Sequence, residues 1–155
     1  MQEKSVCLNC GAEIASNAKF CMNCGKEMSM TEELITADNV SKELLKSIFE
    51  AAFMDVSLDK DGDIVIKEGI TMFVFPNKEK NLIKLVASFG LKPTASLLAK
   101  LECINKINKD YIMVSAFIVD DSLRCTYDFS LKGGLLTKAF VPQVKFFAQI
   151  VRSAV

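Results

Sequence analysis

Cys7-Leu8-Asn9-Cys10-Gly11 and Cys21-Met22-Asn23-Cys24-Gly25 are two copies of one pattern, Cys-x-x-Cys-Gly, joined by the short stretch Ala12–Phe20. Four sulfurs at this spacing can close a tetrahedron around one Zn²⁺. Each copy predicts a tight turn with both sulfurs on one side. The residue after the second Cys of such a turn often needs positive φ, which Gly adopts without steric cost, and Gly11 and Gly25 stand there. Once Cys7, Cys10, Cys21 and Cys24 hold one zinc, no coordination position remains for water. The expected metal is therefore structural, not catalytic. A segment this short cannot bury a core of its own. Metal binding would supply its folding free energy, about 10–16 kcal/mol in comparable peptides.

Two other chemistries use such cysteines. Disulfides suit a secreted chain, but Met1-Gln2-Glu3-Lys4-Ser5 leads into the first Cys with no apolar run of the signal-peptide kind. A redox Cys-x-x-Cys usually occurs once, within a βαβ pattern, and not twice in tandem. Zinc and a cytoplasmic location are the expectations. The run Cys-Leu-Asn-Cys-Gly-Ala-Glu-Ile, with Ala-Lys-Phe-Cys-Met-Asn-Cys-Gly-Lys-Glu after it, resembles the short zinc ribbons at the N-terminus of many bacterial and archaeal proteins. The resemblance implies a structural zinc and often an interaction role; it fixes no partner.

Composition narrows the function. The 155 residues suit one ordinary domain plus a small appendage, and half of them are hydrophobic. No apolar run is long enough to span a bilayer. Lys+Arg and Asp+Glu number 19 each, and only Arg124 and Arg152 are arginines. Arg is the preferred bidentate reader of phosphate and guanine, so its scarcity argues against nucleic-acid recognition. The charges of Met1–Glu27 cancel before the site is counted. Four thiolates and one Zn²⁺ then add net negative charge, where phosphate binding needs the opposite. Histidine is absent, which excludes Ser-His and Cys-His nucleophiles and His-ligated catalytic metals.

Outward from the cysteines, the expected division is a ribbon over 1–27, a linker over 28–36 and a domain over 37–155. In the linker, Met28 and Met30 either stay free or pack on the next domain. A helix is predicted from about Ala37 to Met54, capped by Thr36 or Asp38, because Val40, Leu44, Leu45, Ile48, Phe49, Ala52 and Phe53 recur at helical steps. Four strands joined by short turns follow as an antiparallel meander: Asp55–Asp59, Asp63–Lys67, Ile70–Phe75 and Leu82–Phe89. Pro76–Asn81 reads as a polar turn, and Ile70–Phe75 is apolar on both faces. A second helix over about Thr94–Asn108 has Leu97, Leu98, Leu101, Ile104 and Ile107 as its apolar face. Strands Tyr111–Val119 and Leu123–Leu131 come next, then a last helix over roughly Thr137–Ser153, with Pro142 in its first turn or at a kink. The fold class is α+β, an antiparallel-sheet domain of order α-β-β-β-β-α-β-β-α behind a small N-terminal zinc ribbon with four cysteine ligands.

Asp61-Gly62-Asp63-Ile64-Val65-Ile66, the Leu101–Asn108 helix end with Asn105 and Asn108, and the Asp120-Asp121 hairpin leading to Gly133-Gly134 together resemble the YbjN family, whose fold is like that of the type III secretion chaperones. The likeness spans about Ala37 to Val155. It implies a non-enzymatic fold, often dimeric, that offers a surface to another polypeptide.

Three weaker signals have plain explanations. Ser57–Glu68 matches several calcium-loop positions, but Ser57 replaces the first Asp and a β-branched stretch follows where a helix is needed, so a β-turn is expected. Cys103 and Cys125 are expected to be buried and inert. Asp120, Asp121 and Asp128 could form an acid–base pair, but a solvated hairpin and an outward strand position suffice. The expected function is a zinc-binding, non-enzymatic adaptor or chaperone-like module that contacts another polypeptide or itself as a homodimer. The alternative is a nucleic-acid-associated regulator acting through the ribbon.

Overall fold

The computed structural model describes residues 4–7, 10–15, 20–26 and 34–155. They fall into two compact units, one within 1–33 and one over 34–155. Positions 28–33 of the expected linker, Met28 and Met30 included, lie outside the described residues. In the first unit β1 (Lys4–Val6) pairs antiparallel with β2 (Glu13–Ala15), Ser5 opposite Ile14.

The second unit begins with β3 (Leu34–Ile35), inside the stretch expected as linker. Two residues are too few to show a strand period in sequence. Then come α1 (Lys42–Ala51), β4 (Asp55–Leu58), β5 (Ile64–Lys67), β6 (Thr71–Asn77), β7 (Leu82–Gly90), α2 (Leu97–Asp110), β8 (Ser115–Val119), β9 (Ser122–Ser130), β10 (Leu135–Leu136) and α3 (Thr137–Ala154). From residue 42 this is the expected α+β order, with the short β10 interposed before α3. One antiparallel sheet runs β4-β5-β6-β7-β9-β8, and β3 pairs separately with β10.

Strand alternation and register decide where the core lies. Ile66 faces Met72, Met72 faces Ala87 and Ala87 faces Cys125, so one row of buried side chains crosses the sheet. The helices add Leu45, Phe49, Ile107, Phe140, Val144 and Phe147 to the same cluster. Phe140 is its aromatic centre: its ring lies 5.5 Å from that of Phe49 and meets Phe129 edge-on at 4.9 Å. β6 is apolar on both faces as expected. Met72 and Val74 are buried, and on the opposite face the rings of half-buried Phe73 and Phe75 stack at 6.2 Å.

Several local expectations need correction. The first helix starts later than Ala37 because Ser41, not Thr36 or Asp38, caps it: its hydroxyl accepts from the Leu44 N–H at 3.0 Å. Its end is a left-handed cap. The N–H of Phe53 bonds the Glu50 carbonyl and that of Met54 bonds the Phe49 carbonyl, with Phe53 at φ 56° where Gly is usual. β6 continues through Pro76, which pairs with Ile83, so the turn begins at Lys78. Pairing with β5 ends at Val74, so on that side the missing N–H of Pro76 breaks no ladder bond. The apolar face of α2 is mostly uncovered. Only Ile107 is buried, while Leu97 is 70% and Leu98 66% exposed and Leu101 is exposed as well. Pro142 lies inside α3.

α2 is tied to the sheet by its far end. The Asn108 carboxamide donates to the Ala116 carbonyl at 3.0 Å and accepts from the Ala116 N–H at 2.7 Å. Among the described residues no helix is long and apolar enough to cross a membrane.

Candidate metal centre

The two Cys-x-x-Cys-Gly copies fold alike. Gly11 N–H bonds the Cys7 carbonyl and Gly25 N–H bonds the Cys21 carbonyl, each at 2.8 Å. Cys7 N–H donates to the Ala12 carbonyl and Cys21 N–H to that of Lys26. Gly11 and Gly25 have φ of 74° and 69°, the conformation their place in the repeat predicts. In each knuckle the first Cys is buried and the second exposed, and Ala12 packs against Cys7 and Cys21.

The four sulfurs of Cys7, Cys10, Cys21 and Cys24 lie within 4.8 Å of one another. Cys7 and Cys24 are 3.7 Å apart and Cys10 and Cys21 3.6 Å. A regular tetrahedron with Zn–S bonds of about 2.3 Å has edges of about 3.8 Å, so the cluster has the size and donor type that zinc requires. Local donors prepare the sulfurs. The Ala12 backbone N–H and the Asn23 carboxamide, 3.6 Å from the sulfur, hold the Cys10 thiol below its ordinary value. At Cys21 the backbone N–H groups of Cys24 and Asn23 pull down, but burial and the neighbouring sulfurs outweigh them and push the thiol up to about 11. A cation at the centre would turn that crowding of sulfurs into attraction. The Asn23 contact is not anticipated from sequence, although Asn precedes the second Cys of both copies, which is the signal that could have found it.

The other candidates are not brought together. The loop with calcium-like spacing is the β4–β5 hairpin turn. The Asp59 carboxylate accepts from the N–H groups of Asp61 and Asp63, each at 2.9 Å, and Asp63 pairs with Lys42 at 2.6 Å. Asp128 points from the outer sheet face to Lys84 at 2.7 Å, and Asp121 lies 3.4 Å from Lys100. Cys125 is buried, and burial, with Cys103 nearby, pushes its thiol up to about 11. Cys103 is exposed, contrary to expectation, because α2 turns so little of its surface to the core.

The zinc-ribbon domain family matches residues 6–28. The YbjN family, described as a proposed bacterial sensory transduction regulator, matches residues 41–154. The crystal structure of YbjN from E. coli, described as a proposed transcription regulator, is similar to this chain with a TM-score of 0.65 and 16% identity, over 79% of this chain and 91% of that one. At that identity the likeness is one of fold. No curated protein matches the chain.

Proposed function

The chain belongs to the YbjN family, and from that premise we propose that it is a cytoplasmic, non-enzymatic regulatory adaptor that binds a polypeptide through its α+β unit, with a zinc-stapled ribbon as a second contact surface. Cys7, Cys10, Cys21 and Cys24 are the ligands of one structural Zn²⁺; the sulfur spacing and the matched ribbon family support this. A four-cysteine site leaves no place for water, and without histidine the chain can build neither a Ser-His nor a Cys-His nucleophile, which supports the non-enzymatic reading.

The observation that carries the reading is α2. Leu97, Leu98 and Leu101 stay exposed on one helix, where a monomer normally turns such residues inward. The partner is a second copy of the chain or an apolar segment of another polypeptide. The test is capture from native extract followed by reconstitution with the purified partner. Wild type should bind, and a Leu97→Ser/Leu98→Ser/Leu101→Ser variant should lose the partner while keeping its fold. Equal binding by that variant removes the reading. A Cys7→Ser/Cys10→Ser variant that still binds would leave the ribbon a supporting role.

The description of the E. coli protein favours a second reading, a nucleic-acid-associated regulator. Retention on DNA or RNA falling steeply with salt would put it first. The balanced charge and two arginines of this chain weigh against it.

A further inference from the structure

A recess of about 260 Å³ lies between the β5–β6 turn and α3, lined by Glu68, Gly69, Lys145, Gln149 and Arg152. Lys145, Gln149 and Arg152 fall at helical steps along one stripe of α3. The guanidinium of Arg152 is seated against the turn: a Cβ on Gly69 would come 2.7 Å from its Nη1. Gly69 thus meets two demands, a φ of 74° and room for that guanidinium. Among the described residues neither Arg152 nor Lys145 has a hydrogen bond or ion pair in the protein. Lys42, Lys46, Lys84 and Lys100 each have an acidic partner. One of the chain's two arginines therefore lines an open recess, solvent-exposed and with its donors committed to no protein group.

The field of the recess carries both signs. Arg152 and Lys145 are positive. Glu68 is negative, and so is the C-terminal end of α3, whose aligned peptides amount to roughly half a negative charge. The side chains sum to one net positive charge, about half of it offset by the helix end, so a simple cation is repelled, while a simple anion on Arg152 and Lys145 leaves Glu68 unpaired beside it. A small ligand with both charges matches the site. We propose that this recess binds a zwitterionic α-amino acid, with its carboxylate on the fork of Arg152 and on Lys145 and its ammonium toward Glu68. The volume is below the roughly 300–1,000 Å³ of pockets for drug-sized ligands, as suits a ligand of few heavy atoms. This site goes beyond the polypeptide reading and stands or falls apart from it.

The test is titration of the full, zinc-loaded chain, followed by ¹H–¹⁵N spectra, with glycine, L-glutamate, potassium phosphate and methylammonium chloride as separate probes. The amino acids should shift the Gly69, Gln149 and Arg152 amides saturably, and phosphate and methylammonium should bind at least roughly tenfold more weakly. Arg152→Ala and Glu68→Gln should each weaken glycine by about tenfold or more, with Arg152→Lys recovering part of the loss. Gly69→Ala should weaken it too, by displacing the guanidinium. Phosphate binding as tightly as glycine, with Glu68→Gln leaving glycine unaffected, would overturn the proposal in favour of a plain anion site. The absence of a saturable shift with either amino acid would overturn it outright.

Discussion

Within 1–33, the buried hydrophobic residues described are Cys7 and Cys21, with Ala12 beside them. From residue 34 onward, three helices and one face of a sheet share a continuous core centred on Phe140. The first unit converges on four sulfur atoms, and among its described residues apolar packing is confined to Cys7, Cys21 and Ala12. The second spreads its stability over many contacts, none of which fixes the fold alone. The contrast says where each unit is vulnerable: one to chemistry at the sulfurs, the other to changes of side-chain volume.

The largest effect should come from chelation. Zinc removal should cost the first unit on the order of 10–16 kcal/mol and unfold it, while the melting transition of the second stays in place. Differential scanning calorimetry with and without chelator checks this, and a collapse of the main transition would break the contrast. Next is Phe140→Ala, expected to cost about 3–5 kcal/mol and to leave zinc content, read by atomic emission, unchanged. Loss of zinc in that variant would show that the units are coupled.

A smaller effect, of opposite sign, is expected at Phe53, which is 97% exposed and left-handed. Phe53→Gly should stabilise the larger unit by about 1 kcal/mol, because only Gly visits this conformation at no steric cost. Chemical denaturation reads it, and a destabilised variant would mean that the ring makes a contact worth more than the strain. The smallest is a pH dependence. The thiol of Cys125 is raised in the folded state from 9.0 to about 11. The unfolded chain therefore ionises first, and the contribution of this thiol, complete below about 9, is lost as pH rises through about 11. Cys125→Ala should flatten that slope in urea melts. An equal slope in both proteins would assign the alkaline loss elsewhere.

The knuckles are legible because chelation depends on residue type and spacing, and both are written in the sequence. The strand order is legible because Ile64-Val65-Ile66 and the turns around Gly62 and Gly69 mark a meander directly. The start of α1 is not, since Thr36, Asp38 and Ser41 are all good caps and only the fold selects among them. Pro76 reads as a turn because its effect depends on which side of the strand is vacant. The leucines of α2 show the limit most clearly. Periodicity reports that a helix has an apolar face, not whether anything covers it. The recess at Arg152 leaves no trace in the sequence, for Gly69 and Arg152 lie far apart in the chain and meet only after folding.

One contact sets a boundary. A carboxamide carries a donor and an acceptor in one plane, as a peptide group does, so Asn108 gives the backbone of Ala116 what a neighbouring strand would give it. Its bonds to both the N–H and the carbonyl of Ala116 mark that side of β8 as the one turned away from β9. Strand addition at this edge of the sheet must evict this side chain first. Copies that associate here are steered toward contact through side chains, which can be selective, and away from backbone templating, which has no natural end.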